Sequence, residues 1–226
     1  MPGTMRTIRG AALTAALLVA AGCGGDGDGD RVVVQDDGTG QMAPGAAGDA
    51  QAQPQPAEPR QPPPDLRLEV DVAARELHVY RNDERIATHP VAVGTSEWPT
   101  RTGAWSIGQV VWNPRWVPPT DESWAEDEET SEPGAPDNPL GRAQLVYDPP
   151  RSIHGTNEPE SLGKAASHGS IRVSNDVAVE LARMVMEAGG AGRDEAFYSR
   201  VRENRTERVD VGIPNPVPIA VVEGGS

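Results

Sequence analysis

The sequence predicts a mainly β domain with one clear helix, and three observations predict it. Apolar and polar residues alternate at period two in one short stretch after another from Leu66 onward. Turn-forming residues separate those stretches, as Asn82-Asp83-Glu84 does between Arg81 and Arg85. A single segment, D-V-A-V-E-L-A-R-M-V-M-E-A, carries helical spacing, with Val177, Leu181, Met184 and Val185 on one face. Ser174 or Asn175 supplies its N-cap, and Gly189-Gly190 ends it.

In chain order, L-R-L-E-V-D-V, E-L-H-V-Y-R and R-I-A-T-H-P-V-A-V-G read as the first three strands, the last ending at Gly94. His78 and His89 fall on strand faces. A-W-S-I-G-Q-V-V is the next strand, followed by a long irregular stretch from Trp112 to Arg142 that holds three of the five tryptophans. Loops of that length inside a compact domain are functional lids or lack order. Its seven acids between Asp121 and Glu132 read as a solvated face, or as a lid whose negative field attracts a cationic substrate group. A-Q-L-V-Y-D and R-S-I-H lead into a polar block from Ile153 to Asn175, and I-R-V-S leaves it. The helix follows, its methionines as core fillers. A charged insert from Gly192 to Glu207 contains a short helix, and R-V-D-V-G-I and V-P-I-A-V-V-E close the domain as two strands.

The flanks differ in kind. Residues 1–22 carry Arg6, Arg9, an apolar run too short to span a bilayer and small residues before Cys23, which predicts a lipoprotein signal peptide. The A-A-G-C ending resembles a bacterial lipobox, so Cys23 is expected to become a lipidated N-terminus. It is the only cysteine, and an exported free thiol is unusual. Residues 23–65, rich in Gly, Ala, Gln and Pro, bury too little apolar surface to order themselves and read as a tether of roughly 35 Å reach. The alternating Asp26, Asp28 and Asp30 lack the closing Glu of a calcium loop. Residues 66–224 are then an exported, membrane-anchored domain facing the periplasm or cell wall. A net charge of −14 excludes nucleic acid bound through a basic patch and favours partners with exposed amines.

The block from Ile153 to Asn175 has the composition of a site. His154 precedes a glycine, and Ser170 follows His168-Gly169. Nucleophilic acyl transfer needs a nucleophile, a base, a group that orients the base, and N–H donors for an oxyanion, and this stretch can supply all four. A glycine such as Gly169 lets successive N–H groups point one way. Two rival readings stand beside this: a tight polar turn in which Ser170 is merely small, and a zinc site. The latter lacks an H-E-x-x-H or C-x-x-C spacing and a third ligand, so neither metal nor cofactor is assigned.

Read with its neighbours, I-H-G-T-N … S-H-G-S-I-R-V-S-N resembles the signature of the L,D-transpeptidase family (YkuD-type catalytic domain), H-G-T-N … S-H-G-C-[IV]-R-[ML]-x-N. N-P-R-W-V-P-P, P-G-A-P-D-N-P-L-G and the terminal V-P-I-A-V strand resemble it too, so the likeness runs from about Leu66 to Val222. It implies a sandwich-like or barrel-like β domain whose site opens under a lid. It also implies a reaction in which the nucleophile attacks the third residue of a peptidoglycan tetrapeptide stem, expels D-alanine, and passes the acyl group to the side-chain amine of a diamino acid on another stem. His154 would be the general base, oriented through its other ring nitrogen by a nearby carbonyl. His168 would shape the pocket, and N–H groups around Gly169 and Ser170 would form the oxyanion hole. Asn157 would bind substrate, Arg172 would contact a substrate carboxylate or brace a loop, and Asn175 would cap the helix.

The departure is Ser170, where the family carries cysteine. A thiol titrates near 8.5 and ionises readily beside a histidine, whereas a hydroxyl loses its proton only during attack and depends wholly on base and oxyanion hole. Two functions therefore stand: a serine-variant L,D-transpeptidase or L,D-carboxypeptidase, and a catalytically silent peptidoglycan-binding lipoprotein. Peptidoglycan stem peptides are the expected partner of either, with the membrane reached through the N-terminal lipid.

Overall fold

The computed structural model describes residues 62–224; the expected signal peptide, Cys23 and the tether up to residue 61 lie outside them. Strands β1 (Leu66–Asp71), β2 (Glu76–Arg81) and β3 (Glu84–Pro90) form an antiparallel meander. Asn82 and Asp83 both take positive φ, 48° and 65°, the conformation a two-residue hairpin turn requires. Strands β4 (Val93–Gly94), β5 (Gly103–Trp112), β6 (Ala143–Asp148) and β7 (Arg151–Thr156) follow, then β8 (Ala165–Ser167), β9 (Ile171–Ser174) and β10 (Val209–Val222). Eight of them make one sheet in the order β3-β2-β1-β10-β5-β6-β7-β9, while β4 pairs with β8 alone.

The sheet curls almost into a barrel. Ala92, just past β3 at one edge, exchanges two 2.9 Å backbone hydrogen bonds with Arg172 on β9 at the other edge. Its two terminal strands are thereby brought together, and the exposed edges that a strand pair would otherwise present are short. Leu66, Leu68, Val70, Leu77, Val79, Ile107, Val110, Leu145, Ile153 and Ile171 fill the interior.

Helix α1 (Asn175–Ala188) packs on β5, β6 and β7. Its buried face is Ala178, Leu181, Ala182, Val185 and Met186, one step round from the expected face, with Val177 and Met184 at its margin. Met186 is the core filler expected, and its Sδ accepts a 3.2 Å hydrogen bond from Trp112 Nε1. Gly190, at φ 78°, ends the helix, with Ala191 N–H donating back to Met186 O. The charged insert does contain a helix, α2 (Glu195–Glu203), capped by Asp194.

Two elements differ from the expectation, and a third resolves between its two readings. The two closing strands are one, β10, whose register against β5 shifts between Gly212 and Val217, so the P-N-P segment bulges without breaking the strand. The third strand ends at Pro90 and its tail, Val93–Gly94, turns away to pair with β8, which local periodicity does not announce. Lastly, the stretch between β5 and β6 is ordered by asparagines. Asn138, almost fully buried, donates to the carbonyls of Pro114, Glu132 and Ser131 and accepts from Leu140 N–H, while Trp116 and Ser131 exchange backbone bonds. The result is a folded flap.

Candidate active site

Parallel pairing of β7 with β9 sets the site. His154 lies opposite Arg172, and Ile153 opposite Ile171. Since side chains alternate, Ile153 and Ile171 go to the core while His154 and Arg172 share the other face. Ser170 immediately precedes β9, and its Oγ accepts a 3.3 Å hydrogen bond from Ser152 N–H, which fixes it beside the start of β7. Among the described residues no hydrogen bond joins Ser170 to His154.

The turn that carries Ser170 is held by Ser167. Its hydroxyl donates to Ser170 O at 2.5 Å and accepts from Gly169 N–H at 3.2 Å. Gly169 has φ 101°, which a side chain would strain. A Cβ there would lie 3.5 Å from both Arg151 Nε and Pro99 O.

His154 is buried, and its Nδ1 lies 2.7 Å from Gly155 O. A carbonyl can only accept, so Nδ1 carries the proton and Nε2 holds the free lone pair. Burial lowers the His154 pKa to about 4, with Arg172 acting the same way; the Gly155 and Pro139 carbonyls oppose both. His168 sits between two tryptophans. Trp124, in a 3-10 turn of the flap (Ser123–Ala125), stacks on it at 3.9 Å and 4°, and Trp98 meets it edge-on at 4.6 Å. Burial pulls the His168 pKa down and Arg172 adds to that, while Glu128, Glu122 and Glu97 pull it up.

The remaining motif residues are engaged within the chain. Arg172 makes a 2.6 Å ion pair with Glu158 in the loop after β7. Asn157 Nδ2 donates to Pro136 O and Asn138 O, tying that loop to the base of the flap. Its Oδ1 accepts from Asn175 Nδ2. Ser174, not Asn175, caps α1, accepting from Val177 N–H. Asn175, one residue further, instead accepts from Arg142 N–H at 2.9 Å and donates to Thr156 O at 3.0 Å. Gly141 and Gly155 make room for it, since a Cβ on either would collide with Asn175 Oδ1. The glycines of P-L-G and H-G-T are therefore packed against one amide.

The sequence placed His154, His168, Gly169, Ser170, Asn157 and Arg172 in one region, and the fold gathers them. It adds Ser167, Trp98, Trp124 and Arg151. Ser167 lay in the motif unread, and Trp124, an aromatic alone in an acidic run, was the available sign that the run touches something. The seven acids between Asp121 and Glu132 are all exposed. Among the described residues, no three of His, Cys, Asp and Glu gather as a metal-holding group.

A family profile described as the L,D-transpeptidase catalytic domain, YkuD, matches residues 65–212. The chain is 32% identical to the candidate L,D-transpeptidase YqjB of Bacillus subtilis over 53% of its length, and 33% identical to the candidate L,D-transpeptidase YkuD of Bacillus licheniformis, also over 53%. It spans 65% of the former and 59% of the latter, less than two thirds of either. Solved structures similar to it include an L,D-transpeptidase from Mycobacterium smegmatis (16% identity, TM-score 0.43, 70% of this chain and 59% of that one). Another is the C442S mutant of the Enterococcus faecium L,D-transpeptidase (17%, 0.47, 71% and 50%).

Proposed function

The chain belongs to the YkuD family of L,D-transpeptidase catalytic domains, and from that premise we propose that it transfers acyl groups on the tetrapeptide stems of peptidoglycan with Ser170 as nucleophile. The observation that carries this reading is the Nδ1 contact of His154 with Gly155 O, which puts the ring proton on Nδ1 and leaves Nε2 as the nitrogen able to take one. Ser170 Oγ attacks the carbonyl of the third stem residue as its proton passes to His154 Nε2, forming a tetrahedral oxyanion. The Gly169 N–H is engaged by Ser167, so the Ser170 N–H is the oxyanion donor in this scheme. Collapse expels the amine of D-alanine, which takes the proton back from His154. The ester left on Ser170 is then attacked by the amine of a diamino acid, giving a cross-link, or by water, giving a tripeptide. Asn157 and Arg172 support the pocket wall through Asn138, Pro136 and Glu158. Export and anchoring through Cys23 belong to the same proposal, and Cys23→Ala would shift the protein from the membrane to the soluble fraction.

A second reading has its own observation. Ser170 Oγ is held by Ser152 N–H and not by His154, an arrangement suited to a silent module that retains peptidoglycan in the groove. One assay separates the two: incubation with tetrapeptide muropeptides, following D-alanine by mass spectrometry. Wild type releases D-alanine and Ser170→Ala does not, while Ser170→Cys is faster, by up to about a hundredfold if the shorter oxygen sits too far from the carbonyl. Release by Ser170→Cys with none by wild type would leave only the silent module.

A further inference from the structure

We infer that Arg101 and Arg151 form a cradle for the terminal carboxylate of the stem peptide whose C-terminal residue leaves. This rests on the acyl-transfer reading for the identity of the peptide, and on the following geometry for the cradle.

Both guanidiniums approach the same oxygen. Arg101 Nη1 and Arg151 Nη1 lie 3.3 Å and 3.4 Å from Asp148 Oδ2. Two cations on one anion leave a net positive charge, in a chain whose overall charge is −14. Each guanidinium has five N–H donors, and among the described residues each uses one, over a long distance. The side chains keep 59% and 31% of their exposure, so a ligand can reach the unused donors.

The cluster sits against the nucleophile. Arg151 Nε is 3.5 Å from where a Gly169 Cβ would stand, and the N–H of the next residue, Ser152, holds Ser170 Oγ. Arg101 follows Trp98 and Pro99, whose carbonyls face the same point of Gly169. A peptide whose scissile carbonyl rests on Ser170 places its last carboxylate only one residue further on. Planar guanidinium forks match that group better than a lysine would. Arg172, the arginine of the motif, is bound to Glu158 at 2.6 Å and only 15% exposed, so the partly free cations at this end are Arg101 and Arg151.

The test is calorimetric binding of the full chain, in detergent, to a synthetic stem tetrapeptide carrying a terminal carboxylate, the terminal carboxamide, or an amide at its internal carboxylate. Wild type binds the terminal acid about tenfold more tightly than the terminal amide at low salt, the scale of one solvent-exposed charge-assisted contact. Arg151→Gln and Arg101→Gln each shrink that preference, and Arg151→Lys keeps part of it. If Arg151→Gln does not fold by circular dichroism, Arg101→Gln carries the test. Equal affinity for acid and amide, no binding of either, a preference that survives both Gln changes, or sensitivity to the internal amide alone overturns the cradle. D-alanine release, followed in parallel, reports on the other proposal: preference without release sinks acyl transfer only, and release without preference sinks the cradle only.

Discussion

Trp124 lies flat on His168, with ring centroids 3.9 Å apart and planes inclined by 4°. The contact joins the acidic flap to the S-H-G-S turn across a wide gap in sequence, so the flap covers the site by seating one indole on a motif histidine. Stacks of this kind contribute about 0.5–1.5 kcal/mol beyond the area they bury, enough to hold a flap without locking it.

Replacing Trp124 with Ala is expected to raise the His168 pKa toward its ordinary value. Burial is the first cause of its depression, and the indole supplies part of that burial. Titration of the ring C–H signals by NMR measures it, and an unchanged midpoint would mean that Trp124 does not shield His168 in solution. The lost stack should lower stability by about 1 kcal/mol beyond the cost of the apolar area that Trp124 buries.

His154 makes both activity and stability depend on acid in a defined window. Its pKa falls from an ordinary 6.5 to about 4 in the folded chain. Between those values the unfolded chain binds a proton that the folded chain refuses. Stability from this group is therefore complete above 6.5 and is lost as the pH falls toward 4, by on the order of 3 kcal/mol. Denaturant unfolding at pH 7 and pH 4.5 should show the loss in wild type and much less of it in His154→Gln. A base that stays neutral to about pH 4 also keeps D-alanine release active at pH 5; a decline centred near 6.5 would show that the base is not a His154 whose pKa is held near 4.

Gly155 and Asn175 should be coupled. A methyl group on Gly155 would collide with Asn175 Oδ1 and come within 3.1 Å of Arg142 N, breaking the bond those two atoms make. Gly155→Ala is expected to cost about 2–4 kcal/mol through overpacking and a lost hydrogen bond. Asn175→Ala alone costs about 2 kcal/mol, because Arg142 N–H and Thr156 O lose a partner. The double variant should cost less than the sum by at least about 1 kcal/mol, as measured by a denaturation cycle. Strict additivity would mean that the two residues do not compete for space.

Much of this was legible in the chain. The β1–β2–β3 meander followed from alternation, its turn from the Asn82-Asp83-Glu84 run, and α1 from its cap and closing glycines. The carbonyl partner of His154 was expected from the family likeness and is Gly155. Where the reading missed, a distant partner had intervened. Asn175 had a cap residue's chemistry, but Ser174 was equally able to cap, and Arg142 and Thr156 took the amide instead. The closing strand looked like two because P-N-P breaks local alternation, while pairing with β5 carries it through.

By itself the sequence determined most of the strands, the presence of the two helices, and which short block carries the histidines and the serine, because periodicity, caps and turn chemistry act over a few residues. Only the tertiary structure decided which polar groups are already satisfied. Arg172 is taken by Glu158, Asn157 by Pro136, Asn138 and Asn175, and Gly169 N–H by Ser167, while Arg101 and Arg151 keep donors to offer. A side chain's free valence depends on what the register of β7 against β6 and β9, and the path of the flap, bring within 3 Å or so of it. No count along the chain contains that distance.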